Sequence, residues 1–274
     1  PNVEIALQET QLGTGHAVDQ ARAALGDFDG TVLVLYGDCP FIQTRTLEEL
    51  IATLNDSAVS VLGFEAKDPA LYGRLITDGD KLKRIVEFKD ASPAERAVTL
   101  CNSGVMTAPA HLLFDLLSEI DTDNASGELY LTDVVGKAVA RGLHCAAVRC
   151  AERETLGVNS RVELMQAEKE FQNLRRAVAL EDGVSMPAPE TVHFSYDTVI
   201  GRDAIIEQNV VFGPGVTVES GAQIRAFSHL EGAHVSRGCI IGPYARLRPG
   251  AELAEDVKIG NFVEIKASEP DEGA

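Results

Sequence analysis

From Ile200 onward the apolar residues recur at every sixth position: Ile200, Ile206, Phe212, Val218, Ile224 and Leu230, then Val235, Ile241, Leu247, Leu253, Ile259 and Ile265. That period fits neither a helix nor a half-buried strand, which repeat near 3.6 and at 2 residues. With Gly, Pro and Asn in the gaps, it predicts a prism of short strands in which each hexad lays one face inward and three complete a coil of parallel β-helix. Twelve such positions make about four coils. The one short spacing, five residues from Leu230 to Val235, reads as a corner lacking a residue. Ordinary antiparallel strands are the plainer alternative, against which stand the turn residues that fill the gaps between aliphatic or Phe positions. After Lys266 comes ASEPDEGA, polar, acidic and outside the repeat. It is either a cap on the open solenoid edge or the sign of a chain shorter than its parent.

Ahead of the solenoid, strand and helix patterns alternate. Val3 to Gln8 predicts a strand, Gly13 to Gly15 a turn, and Ala17 to Leu25 a helix. TVLVLYGD, ending in Gly37 and Asp38, is a continuous apolar run of the kind buried on both faces of a parallel sheet. A helix from Thr46 to Leu54, a strand VSVLGFEA and a hairpin follow, the hairpin pairing Tyr72 to Thr77 with Leu82 to Phe88 around Asp78, Gly79 and Asp80. Val98 to Met106 and HCAAVRC read as strands, and Ala110 to Ile120, Leu129 to Arg141 and Arg161 to Leu180 as helices. The alternation predicts an α/β domain on a mainly parallel sheet over residues 1–160, a helical linker over 161–190 with its boundary at Gly183 to Glu190, and the solenoid over 191–274.

Composition narrows the partners. A net charge of −18 and a pI near 4.7 repel a phosphate backbone, which excludes nucleic acid. Cys39, Cys101, Cys145, Cys150 and Cys239 form no CxxC pair and sit mostly in apolar runs, as reduced thiols of a cytoplasmic protein do. No signal peptide or long apolar stretch occurs, so no membrane partner is expected.

Open α/β sheets bind ligands beyond the carboxyl ends of their strands, where Gly13 to Gly15 and Gly37 to Asp38 both fall. A glycine turn lets backbone N–H groups approach a ligand, and an aspartate at a neighbouring strand end can hold a divalent cation; together they point to a nucleotide and magnesium. Each also has a bland reading, as a strand-to-helix turn and a helix cap.

The ordered series QLGTGHA at 11–17, YGDCP at 36–40, LYGRL at 71–75, IVEFKDA at 85–91, CNSGV at 101–105, ASGELYLTD at 125–133 and GVNSR at 157–161, with IIGPYARLRPGAEL and KIGNFVEIK in the solenoid, covers nearly the whole chain. It resembles the bacterial bifunctional family of N-acetylglucosamine-1-phosphate uridylyltransferase and glucosamine-1-phosphate N-acetyltransferase. The resemblance implies a Rossmann-like nucleotidyltransferase domain and a left-handed β-helix that forms a homotrimer. The first domain would transfer UMP from UTP to N-acetylglucosamine 1-phosphate, giving UDP-N-acetylglucosamine and pyrophosphate. The attacking phosphate is already anionic, so alignment and charge neutralisation replace a side-chain base.

By the same resemblance Asp38 and Asn159 hold Mg2+, whose preference is for hard oxygen ligands. Gln8, Gly13 and Thr14 face the uracil and ribose, Tyr36 and Gly37 flank the metal carboxylate, and Gly73, Glu87 and Asn102 meet the sugar. Glu87 as a hairpin ion pair with Lys89, and Asn102 as a turn residue, are the bland alternatives. Arg74 reads equally as a phosphate contact or a partner of Glu87 or Asp90, and His16 as structural rather than a base. In the solenoid, Arg248 and Lys266 match the acetyl-acceptor site, which in the family works with acetyl-CoA.

The family pattern begins ahead of Pro1 with a basic glycine-rich loop that holds the triphosphate, and residues 1–35 supply none. Its acetyl-transfer histidine lies beyond Ala274, and His229 and His234 do not match it. This polypeptide is therefore expected to show little uridylyl transfer and no acetyl transfer. A non-catalytic sugar-nucleotide-binding or trimerising module, and another sugar-1-phosphate nucleotidyltransferase with a hexapeptide tail, are the competing readings.

Overall fold

In the computed structural model, which describes residues 3–274, the chain falls into two units, Pro1–Asn159 and Ser160–Ala274. The first is built on six strands: β1 (Thr31–Val34), β2 (Val59–Glu65), β3 (Arg74–Asp78), β4 (Lys81–Val86), β5 (Leu100–Pro109) and β6 (Cys145–Cys150). Their order in the sheet is β1-β5-β2-β6-β4-β3. Helices α1 (Thr14–Asp19), α2 (Arg22–Leu25), α3 (Thr44–Ala52), α4 (Pro93–Arg96), α5 (Ala110–Leu117) and α6 (Asp133–Ala140) complete it.

The α/β class stands, but the sheet is not mainly parallel. Only β2 and β6 run parallel; β1–β5, β2–β5, β3–β4, β3–β5 and β4–β6 are antiparallel. A continuous apolar run reports burial on both faces, whichever way its neighbours point. Thus Val59 and Val61 of β2 pack with Leu113, Leu116 and Val134, while Leu62 joins a separate cluster with Leu50 and Val105. The alternating segment from Val3 to Gln8 forms no strand. Val3, Ile5 and Leu7 are 78%, 91% and 73% exposed, because alternation specifies a face to bury but not the partner that would cover it.

In the second unit, Ser160 caps helix α7 (Arg161–Glu181) by accepting from Glu163 N–H at 3.2 Å. Buried Gln172 of α7 bonds both backbone groups of Phe194, donating from Nε2 to the carbonyl at 2.7 Å and accepting at Oε1 from N–H at 2.9 Å. Arg176 donates to the Val192 carbonyl at 2.9 and 3.0 Å. The segment 183–190, expected as the domain boundary, lies inside this unit: Val184 and Met186 are buried in its core, and Ser185 bridges to Ile205.

The six-residue period builds the predicted prism. Three parallel sheets of four strands each align Ile200, Val218, Val235 and Leu253 on one face, Ile206, Ile224, Ile241 and Ile259 on the second, and Phe212, Leu230, Leu247 and Ile265 on the third. Every one of these is buried except Ile200 and Ile265 in the end coils, which are partly covered. The five-residue spacing is absorbed at the corner before Ala233–Val235, with Val235 still opposite Val218. Residues 268–274 continue the stacking: Glu252, Ala254 and Lys258 donate their N–H groups to the carbonyls of Ser268, Pro270 and Ala274.

Because each coil packs only on its neighbours, a cavity in a middle coil should loosen the stack locally. Leu247→Ala, fully buried in the parent, is expected to cost about 3 kcal/mol. Hydrogen exchange should speed up across residues 223–265 while the first unit keeps its protection; unchanged exchange in those coils would contradict this packing.

Candidate active site

The turn after the N-terminal segment is tied to the loop before α6. Gly15 donates to the Leu129 carbonyl at 2.8 Å and Leu129 to the Leu12 carbonyl at 2.8 Å, so the two run side by side. Gly13 has φ +117°, and a Cβ there would stand 2.5 Å from the Leu129 oxygen. Thr14 Oγ1 accepts from Leu131 N–H at 3.0 Å and lies near enough to the Tyr36 phenol to influence its ionisation. Gln8 donates from Nε2 to the Gly13 carbonyl at 3.1 Å and meets His16 Nδ1 at 2.9 Å. Gln8, Gly13 and Thr14 therefore form one cluster, with His16 engaged in it.

Beyond the end of β1, Tyr36 lies against Gly104 of β5. Gly104 has φ +87°, and a Cβ would come within 2.4 Å of the Tyr36 ring. Burial pushes the Tyr36 phenol above its ordinary range, as do the carboxylates of Glu87 and Asp38, while the Thr14 hydroxyl pulls it down. The phenol is thus held protonated between two acidic groups. Burial likewise raises Glu87, against the pull of Thr132, whose hydroxyl donates to Oε1 at 3.1 Å. Gly73 completes this corner: its Cβ position lies 3.3 Å from Glu87 Oε2, and its carbonyl accepts from Asn102 N–H at 2.9 Å. Asn102 turns Oδ1 to Gly104 N–H at 3.0 Å. Glu87 and Thr132 also line a cleft of about 320 Å³ with Asp90, Tyr130 and Asp133.

Asp38 and Asn159, far apart in sequence, are brought together around Gly157. Asp38 Oδ2 and Asn159 Nδ2 lie 3.7 and 3.6 Å from the position a Gly157 Cβ would take. Two hydrogen-bonded ties make this so. The Asp38 carbonyl accepts from Val158 N–H at 2.9 Å, and buried Glu154, just ahead of that turn, accepts from Thr46 Oγ1 at 2.7 Å and from Gln43 N–H at 3.2 Å at the start of α3. Among the described residues no three His, Cys, Asp or Glu side chains gather into a metal-binding group. The Asp38 carboxylate offers the hard oxygen that Mg2+ takes, and the Asn159 amide, which turns its Nδ2 to this point, offers one through its oxygen once the amide is rotated, leaving positions for phosphate and water. The Cys39 thiol, pushed up to about 11 by burial and by Asp38, stays uncharged there.

Arg74 follows neither sequence reading. It is 2% exposed and donates to the carbonyls of Tyr72, Ala70 and Arg96, over the Phe88 ring. The 70–72 turn leaves carbonyls with no strand partner, and the buried guanidinium satisfies them. In the solenoid, Arg248 and Lys266 follow directly on the paired Leu247 and Ile265, with Arg248 Nη1 donating to Glu264 at 3.0 Å. His229 meets Arg246 Nη1 at 2.6 Å, and burial with that neighbour lowers its pKa.

Three contributors escaped the sequence reading. Thr132 was placed inside a helix read from Leu129, whereas α6 begins at Asp133 and Thr132 is its N-cap, a common position for threonine. Glu154 acts on residues 108 and 111 positions away, for which no local signal exists. Gly104 sat within an ordinary strand pattern.

Comparison with known proteins gives two family matches: nucleotidyl transferase over residues 1–153 and bacterial transferase hexapeptide (six repeats) over residues 197–232. The bifunctional protein GlmU of Roseobacter denitrificans is 63% identical over 262 residues, 96% of this chain and 58% of its own. Those of Ruegeria sp. (strain TM1040) and Cereibacter sphaeroides (strain ATCC 17025) are 63% identical over 100% and 99% of this chain, and over 61% and 60% of theirs. The chain thus spans about three fifths of the length of these relatives. A nucleoside-diphosphate-sugar pyrophosphorylase structure from Vibrio cholerae RC9 aligns at TM-score 0.44 and 15% identity over 58% of this chain and 66% of its own, too loosely to carry an argument.

A carboxylate whose folded-state pKa is raised costs stability when ionised. That cost is full above the folded pKa and gone below the unfolded one. Glu87→Gln is therefore expected to raise the thermal midpoint at pH 7.5 by roughly 2 °C, with the gain shrinking as pH falls through the raised Glu87 value and gone by about pH 4. Circular dichroism melts at both pH values would reveal it, and a variant less stable than the parent at pH 7.5 would count against a strained Glu87.

Proposed function

The chain belongs to the nucleotidyl transferase family, and on that premise we propose that its first unit binds UTP, N-acetylglucosamine 1-phosphate and their product UDP-N-acetylglucosamine for magnesium-dependent uridylyl transfer. The observation that carries this reading is the convergence of Thr14, Tyr36 and Glu87, with Gly73 against the same carboxylate and Asn102 hydrogen-bonded to Gly73. Asn102 has committed Oδ1 to Gly104, so its Nδ2 remains to donate to an acetamido carbonyl. Glu87 accepts sugar hydroxyls, and its hydrogen bond from Thr132 keeps one oxygen aimed while the other serves the ligand.

Asp38 and Asn159 would hold the magnesium ion, which when bound neutralises phosphate charge. The tie from Val158 to the Asp38 carbonyl aligns that pair. Tyr36, kept as a neutral phenol, can donate without adding charge beside Asp38. The sugar phosphate arrives ionised, so no residue need remove a proton, and what the site supplies is placement of the attacking oxygen. By the same reading the second unit is the trimer-forming part of a cytoplasmic UDP-N-acetylglucosamine-synthesising enzyme, with Arg248 and Lys266 facing the acetyl acceptor used with acetyl-CoA.

A second reading, a module that binds the sugar nucleotide without turnover, is favoured by Arg74, whose guanidinium is spent on backbone carbonyls rather than offered to phosphate.

Calorimetry of the full chain with Mg2+ tests both. UDP-N-acetylglucosamine should bind more tightly than UMP, and Asn102→Ala should weaken the sugar nucleotide about tenfold while leaving UMP unchanged. Equal losses for the two ligands would refute the sugar assignment. Turnover with UTP and the sugar phosphate at ordinary enzyme rates would eliminate the module reading.

A further inference from the structure

Gln8 carries two N–H donors on Nε2 and one acceptor oxygen, and the structure uses the donors only. One N–H goes to the Gly13 carbonyl, which can only accept, and the other faces His16 Nδ1 at 2.9 Å. With a donor in front of it, Nδ1 must be the acceptor, and the His16 ring proton therefore resides on Nε2. Oε1 of Gln8 makes no hydrogen bond among the described residues. The amide is consequently presented to a ligand as an acceptor.

That polarity selects between pyrimidines. The N3 edge of uracil is an imide N–H and donates to such an oxygen; N3 of cytosine is a bare acceptor that repels it. We propose that His16 is a positioning residue for base selectivity: its Nδ1 holds the Gln8 amide with Oε1 outward, so that the site takes an imide base such as uracil and disfavours cytosine. The proposal rests on the assignment of Gln8 to the nucleobase, and deepens it. The neighbouring geometry supports a fixed amide, since Gly13 is itself pinned against Leu129 and the Gln20 side chain donates to the His16 carbonyl at 3.0 Å. Neither partner of the amide can drift independently.

The test is calorimetry of the full chain with UDP and with CDP in the presence of Mg2+. His16→Phe, which keeps a ring but removes the acceptor, should lower the preference for UDP over CDP about fivefold, the worth of one hydrogen bond. His16→Asn, whose Oδ1 sits where Nδ1 does, should restore it. An unchanged preference in His16→Phe, or equal weakening of both nucleotides, overturns the role. A parent chain that does not prefer UDP instead overturns the assignment of Gln8 to a base, a different failure. Nitrogen NMR of the parent at pH 8 offers a readout independent of any variant: His16 Nδ1 should show the shift of an unprotonated nitrogen, and a protonated Nδ1 would sink the proposal.

Discussion

Each apolar side chain drawn into either core brings a backbone N–H and a carbonyl with it, and the need to pair those groups governs both units. In the solenoid the answer is regular: every coil donates to the next, so one inward residue per hexad is enough to specify the element. In the α/β unit the sheet ladder pairs the strand interiors, but the loops beyond the strand ends need other partners. Those partners are the side chains of the candidate site and its surroundings.

This explains why so many polar residues there have structural neighbours. Arg74 serves three carbonyls, two in the 70–72 turn and one at the end of α4. Glu154 serves the start of α3, and Thr14 serves Leu131. The residues proposed to meet a ligand are those with one polar atom left over after such service, as with Gln8 Oε1 and Asn102 Nδ2. The same packing places Glu87 and Asp38 close enough to raise the Tyr36 phenol. Burial raises both Tyr36 and Glu87; for Glu87, ionised in the unfolded chain at neutral pH, that is a cost in stability of the kind a binding site commonly carries.

The hexad period was readable because its cause is local. Each strand is two or three residues long, every sixth side chain must point inward, and no distant partner alters that rule; even the corner lacking a residue was visible as a spacing of five. The helix of the second unit was equally plain: Arg161 to Leu180 was expected and Arg161–Glu181 forms, with Ser160 as its cap. Strand existence in the first unit followed from apolar runs, and the motif residues Gly73, Glu87 and Asn102 did prove to be neighbours.

Strand direction was another matter. VSVLGFE is buried on both faces whether its neighbours run with it or against it, so the mainly antiparallel pairing of the sheet left no trace in the pattern. Val3, Ile5 and Leu7 alternate correctly for a strand yet stay exposed, because a partner edge is a property of the fold. The sequence by itself determined the elements and the prism, whose interactions lie within a coil of one another. Only the tertiary structure decided what Arg74, Glu154, Thr132 and His16 do, since each is defined by which polar atom, on a side chain or a turning backbone, the fold brings within 3.5 Å of it.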